Sequence, residues 1–380
     1  MPGTFGELFE EFVSDCSTSA REQSDKLSEK AAEDLRYIEN NFATACKQLG
    51  RIESLKEDEV LLYYWRATGP SGLYSRDAVA EIKKTILDLN SEDRIRWIKE
   101  FSGGIARAFQ FVERIESSPD PWVCHLRSLN HMALSWPFLL RADHYGMQPA
   151  DLSRLTNLLE NITFRSLLRG GRADIEPRLN KVLEMLRGPE TVGTFIETVK
   201  NHITNDDWWS SWADAEMLYW LNGPMCQDRV YHYLLWRYEL HLANPNHPLP
   251  HRVTFQDLIK YKCIEHIAPQ PPANGNPLAS GYGKYKNRDN PDLGIVSGGW
   301  LNCIGNLTLI SLSHNSSIGN KPFSGKILSY GINNVLNQQK EIAEFVSDKT
   351  KPCWDIDAIK RRKTKIVNAA KEIWDIQKIH

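Results

Sequence analysis

No stretch of this 380-residue sequence approaches the roughly 20 consecutive apolar residues that a membrane-crossing helix needs. The start, MPGTFGELFEEFVSD, is acidic and lacks the basic residues and apolar run of a secretory signal. The chain therefore reads as cytoplasmic, with no membrane partner. Cysteine is scarce and unpatterned: seven residues at positions 16, 46, 124, 226, 263, 303 and 353, odd in number and without a C-x-x-C pair. That excludes a disulfide framework and an ordinary structural zinc site. The cysteines read as small buried residues, although Cys263 and Cys303, each three positions before a motif residue, could share a metal. There is no G-x-x-x-x-G-K-[ST] phosphate loop and no internal repeat.

The rest of the composition is that of a globular protein, 25% charged and 41% hydrophobic, long enough for two or three domains. Net charge is only −2, but it is unevenly spread. Residues 281–380 hold 15 Lys and Arg against 9 Asp and Glu, whereas residues 1–280 hold 31 against 39. A basic C-terminal part on an acidic body is the asymmetry expected when one end meets a polyanion.

Local patterns predict a mainly α protein. Residues 19–48 mix Ala, Glu, Lys, Leu and Arg without Pro or Gly, which suits a long surface helix. After Ser75, read as an N-cap, Val79, Ile82, Ile86 and Leu89 recur at helical spacing. Further helices are expected over 93–116, 121–141, 149–168, 175–187, 190–203 and 227–240. The aromatic crowd of Trp208, Trp209, Trp212, Tyr219, Trp220, Tyr231, Tyr233, Trp236 and Tyr238 reads as the core joining two helices.

Composition changes near residue 241. HLANPNHPLPHR reads as a linker, FQDLIKYKCIEHIAPQ holds a short strand ended by Pro269, and residues 271–299 are too rich in Gly, Pro and Asn to be anything but loop. A turn at Gly305 leads into a second apolar strand, followed by the loop SSIGNKPF and helices over about 336–347 and 356–376. The expected division is a helical domain over 1–240 and a second domain over 241–380.

Four segments of that second part carry chemistry: IEHIAPQ at 264–270, IGNLTLIS at 304–311, HNSSIGNKPF at 314–323, and Lys326. Phosphodiester hydrolysis needs a base for water and a cation for the charge that builds on phosphate. His266 suits the base because imidazole titrates near neutrality. Glu265 and the Asn315 side-chain oxygen are hard ligands suited to one Mg²⁺ or Mn²⁺, with His314 and Asn320 as alternative ligands. Lys321 and Lys326, and beyond them the run KRRKTK at 360–365, are candidates for phosphate contacts. Singly, each has a plain structural use: a strand-end histidine, a turn or cap asparagine, a surface carboxylate. Neighbouring strand residues also face opposite sides, so Glu265 and His266 can share a site only where the strand bends or ends.

As an ordered set these motifs resemble the C-terminal HNH module of the GmrSD family of modification-dependent restriction enzymes, one of the ββα-metal nucleases. LLYYWRATG and YHYLLWRYEL upstream resemble the helical middle of the same family. The resemblance implies a metal-dependent DNA endonuclease acting on foreign double-stranded DNA, modified DNA included, in a restriction or anti-phage system. The nine-residue interval from Asn306 to Asn315 is similar to the asparagine pair in HNH modules of RNA-guided nucleases. That similarity implies that Asn306 steadies the base and Asn315 binds metal. Relatives carry an N-terminal ParB-like nucleotide-binding sensor with a DGQQR-type motif, which does not occur here. The expectation is a nuclease partner of a split system, or a fragment lacking its sensor. The rival readings are a non-cleaving DNA-binding or scaffold subunit, and an RNase or toxin using the same metal finger.

Overall fold

A computed structural model of the chain describes residues 4–21, 25–170, 175–224, 228–243, 262–270, 279–282, 298–332 and 336–379. The expected linker over 241–252 is corrected at its start, since the helix beginning at Asp228 runs on to Leu242, while residues 244–252 and most of the loop over 271–299 lie outside the described residues. Among the described residues the chain is mainly α, with 16 α-helices and one two-stranded sheet. No helix among them is long and apolar enough to cross a membrane.

The fold divides into two compact units, Met1–Glu160 with Asp174–Asn201 and Ile379–His380, and Asn161–Ala173 with His202–Lys378. The first contains α1 (Phe5–Arg21), α2 (Asp25–Leu49), α3 (Glu57–Thr68), α4 (Ala78–Leu87), α5 (Ser91–Glu116), α6 (Pro121–Ser128) and α7 (Trp136–His144). It also takes the first part of α8 (Pro149–Leu168), all of α9 (Glu176–Leu183) and most of α10 (Val192–Asn205). Its core is aromatic: Phe5 and Phe9 pack on Phe42, and Trp97 stacks on Phe101 with centroids 5.0 Å apart. The close approach of α3 to α5 requires Gly104, where a Cβ would stand 1.9 Å from the Tyr64 hydroxyl. Two local expectations are corrected here. The N-cap of α4 is Asp77, whose carboxylate accepts from the Ala80 amide, rather than Ser75. The helix expected over 121–141 is two, broken where Asn130 takes a left-handed φ of 53°.

The second unit adds α11 (Asp214–Asn222), α12 (Asp228–Leu242), β1 (Lys262–His266), β2 (Leu307–Ser311), α13 (Leu312–Ile318), α14 (Phe323–Tyr330), α15 (Asn337–Lys340) and α16 (Ile356–Ile373). Arg165 organises it, donating to Asn161, Asp214 and the carbonyls of Trp212 and Trp374, while Phe164 stacks on Trp374. Most of the aromatic crowd is core: Trp209, Trp212, Tyr231, Tyr233, Trp236 and Tyr238 are buried, whereas Trp208 and Tyr219 face outward.

Strands β1 and β2 pair antiparallel, with Glu265 opposite Thr308 and His266 opposite Leu307. β2 is buried over its first four residues, three of them apolar, so its far edge needs partners other than water. The Gln338 side chain supplies one, its oxygen accepting from the Leu309 amide and its nitrogen donating to the Leu235 carbonyl. Glu239 then accepts from the amides of Asn337 and Gln338, an anion at the start of α15. Helix α13 follows β2 directly, capped by Ser311 through the His314 amide. The local order is strand, strand, helix.

Candidate nuclease centre

His266 is the last residue of β1, where the ladder gives way to a tight contact with the turn Ile304–Asn306. Asn306 makes that contact. Fully buried, it accepts the Ala268 amide (2.8 Å) and the Trp354 indole N–H (2.9 Å) on Oδ1, and donates from Nδ2 to the carbonyls of Ala268 (3.0 Å) and Leu301 (2.9 Å). Its own carbonyl accepts from the Ile267 amide. Arg362, also fully buried, surrounds the same turn from α16 by donating to the carbonyls of Gly305 and Leu307. The turn must have glycine at 305, because a Cβ there would stand 2.3 Å from the Ile359 carbonyl.

Asn306 therefore holds the backbone that follows His266, and the imidazole itself is met by Asn302. His266 Nε2 lies 3.1 Å from Asn302 Oδ1, and because an amide oxygen only accepts, the ring is the donor in this contact. Sequence reasoning missed Asn302; its one signal is a position within WLNCIGN, four residues before Asn306. The two asparagines should fail differently. Asn302→Ala is expected to keep the fold and lower activity by about ten-fold, less than the roughly 10²–10⁴-fold expected for loss of a general base itself. Asn306→Ala leaves several buried groups unpaired and should instead lower stability by about 2–4 kcal/mol. Thermal unfolding measured beside nicking rates separates them, and equal melting temperatures for the two variants would contradict the assignment.

Glu265 and Lys326 change character in three dimensions. Lys326, on α14, is fully buried, and its ammonium pairs with the Glu265 carboxylate and lies 3.3 and 3.4 Å from the carbonyls of His266 and Ile267. It is therefore an internal counter-ion, not the exposed phosphate contact expected from sequence. Burial pushes the Glu265 carboxyl up and the Lys326 ammonium down, and each partner opposes that shift in the other. Lys321 remains exposed, its carbonyl accepting from the Tyr282 hydroxyl, and Asn320 is exposed beside it.

Asn315 lies on α13 and donates from Nδ2 to Cys263 Sγ at 3.1 Å. Cys263 and Glu265 alternate on one face of β1, so this contact puts Asn315 on the Glu265 side of the strand. His314 turns elsewhere. Its Nε2 lies 3.1 Å from Ser329 Oγ and its Nδ1 3.5 Å from Gln339 Nε2. The Gln339 amide is oriented by the Leu336 N–H on its oxygen, and the Ser329 hydroxyl donates to the Lys326 carbonyl. Nδ1 thus faces an N–H and Nε2 a hydroxyl, so both ring nitrogens of His314 have polar partners.

Desolvation lowers the His314 pKa, and an added Nδ1 proton would face the Gln339 N–H. Its folded pKa lies below the unfolded one, so the unfolded chain binds more protons as pH falls through the histidine range. That contribution to stability is whole above the unfolded pKa, about 6.5, and is lost as pH drops below it. Denaturant titrations between about pH 7.5 and 5 should show a smaller loss in His314→Gln than in the unsubstituted chain. Parallel curves would remove His314 as the cause.

Among the described residues no group of three or more His, Cys, Asp or Glu is placed to hold a metal. The donors present, one carboxylate and one amide on the same side of β1, suit only a sparse site for a hard cation that keeps water and phosphate in most of its shell. Cys303 is buried in the core and Cys263 is bonded to Asn315, so the pair carries no sign of a shared metal.

The described second unit thus has a strand–strand–helix element with a histidine at the strand end, one asparagine on its ring and another on the backbone that follows it. Residues 218–369 match the model of the family described as GmrSD restriction endonucleases, C-terminal domain, and over that part the chain is similar to that family. No curated protein matches the chain.

Proposed function

We propose that the chain is a metal-dependent HNH endonuclease of double-stranded DNA, serving in a restriction or anti-phage system, with its nuclease module beginning near residue 241. The observation that carries this reading is His266 at the end of β1, its ring met by Asn302 and the backbone after it held by Asn306, in a segment that matches the restriction-endonuclease family model. In the proposed reaction His266 Nδ1 takes the proton of the attacking water, while Asn302 holds Nε2–H and so stabilises the imidazolium that forms. Glu265 and Asn315 would hold a Mg²⁺ or Mn²⁺ ion, which when bound neutralises charge developing on the scissile phosphate. Lys321 is the remaining phosphate contact of the two expected beside the centre. Any nucleotide dependence would come from a ParB-like partner or module.

A second reading, a non-cleaving DNA-binding platform, draws on one observation: the Glu265 charge is already balanced by Lys326. Supercoiled plasmid incubated with the pure chain and Mg²⁺ or Mn²⁺ decides between them. Conversion to nicked or linear DNA is the expected result, and intact plasmid under both ions would leave the platform.

A further inference from the structure

The basic run at 360–365 is sorted by its surroundings. Arg362 is spent on the turn at Gly305, Arg361 donates to the Phe345 carbonyl and Ser347, and Lys365 pairs with Glu341 and Glu344. Two cations are left on one face of α16, three residues apart. Lys360 and Lys363 both hold their ammonium groups over the Trp300 ring, 5.5 and 5.0 Å from its centroid. Lys360 also makes a 3.7 Å contact with exposed Asp357, and Lys363 a 3.3 Å bond to the Asn222 carbonyl. Lys360 is exposed, and Trp300 and Lys363 are half-buried. Trp300 is two residues from Asn302, whose side chain meets His266.

We infer that Trp300, Lys360 and Lys363 form a contact strip for the DNA backbone flanking the nuclease centre, the two ammoniums meeting phosphates and the indole lying against the sugar between them. The choice of DNA rests on the nuclease reading. The strip itself rests on charge and position. An indole shared by two cations holds them in register without neutralising them, so incoming phosphates gain both charges at little ordering cost. The adjacency to Asn302 sets where the strand would run, within reach of His266.

The test is a fluorescence-anisotropy titration of a fluorescein-labelled DNA duplex over a range of salt, using the full chain carrying His266→Ala so that the probe stays intact. Lys360→Gln with Lys363→Gln should weaken binding about ten-fold and flatten the salt dependence by about one to two units of slope. The corresponding pair of arginine substitutions should keep the slope. Trp300→Leu should weaken binding by up to about ten-fold with the slope unchanged, since it removes a surface and no charge. Thermal melting confirms that each variant is folded, and because Lys360 is exposed and Lys363 only half-buried their substitution carries the test if Trp300→Leu does not fold. A double glutamine variant with unaltered affinity and slope overturns the strip, and tighter binding to an RNA duplex overturns its assignment to DNA. Loss of binding in that variant, together with plasmid left intact by the unsubstituted chain, would support the strip and sink the cleavage reading alone.

Discussion

His266→Ala is expected to lower plasmid nicking by about 10²–10⁴-fold while DNA and metal still bind. The variant removes the nitrogen that receives the water proton but leaves the clamp around it, because Asn306 bonds the backbone of Ala268 and Ile267 and not the ring. Asn315→Ala should fail in another way. Removing an inner-shell oxygen weakens the cation site, so part of the lost activity should return at higher Mn²⁺ by mass action. Glu265→Ala is a poorer probe of metal, since it also strands the buried Lys326 ammonium. Nicking rates for His266→Ala and Asn315→Ala across a metal titration, with calorimetric metal affinity beside them, make the distinction. Undiminished nicking by His266→Ala would remove the central claim, and metal affinity unchanged in Asn315→Ala would take that residue out of the shell, with exposed Asn320 the next place to look.

Much of the fold was legible because it is written in local pattern. Helices α5, α8, α10, α12 and α16 follow from apolar spacing and caps, and the largely apolar segment 307–310 is buried on both faces of β2. What escaped depends on tertiary partners. Nothing local distinguishes Lys326 from Lys321, five residues earlier, yet one ammonium lies inside against a carboxylate and two carbonyls and the other remains outside. The KRRKTK run has the same ambiguity, and only packing of α16 on the turn at 304–306 shows which cations are enclosed. Asn306 was visible as a site residue, but its partners lie 38 and 48 positions away. Asn302 was invisible because an asparagine before a turn is ordinary on its own.

The buried pair of Lys326 and Glu265 is expected to give the largest stability effect in the second unit. The Lys326 side chain is fully enclosed and the Glu265 side chain only 11% exposed, so neither charge can recover hydration when its partner is removed. Lys326→Met leaves a buried carboxylate alone and takes a donor from the carbonyls of His266 and Ile267, and should cost about 3–5 kcal/mol. Glu265→Leu leaves the ammonium with two carbonyls still beside it, and should cost somewhat less. In the double variant no unpaired charge remains. Its cost should therefore fall well below the sum of the single costs, giving a coupling of about 2–3 kcal/mol, with the residual loss due to the carbonyls. Because the chain has two compact units, one global melting curve can blend two transitions. Hydrogen exchange at the Ile267 and Ala268 amides, both bonded to Asn306 beside this pair, reads the effect where it arises. Protection lost in each single variant and largely regained in the double is the expected pattern, and additive losses would show that the two charges do not depend on one another.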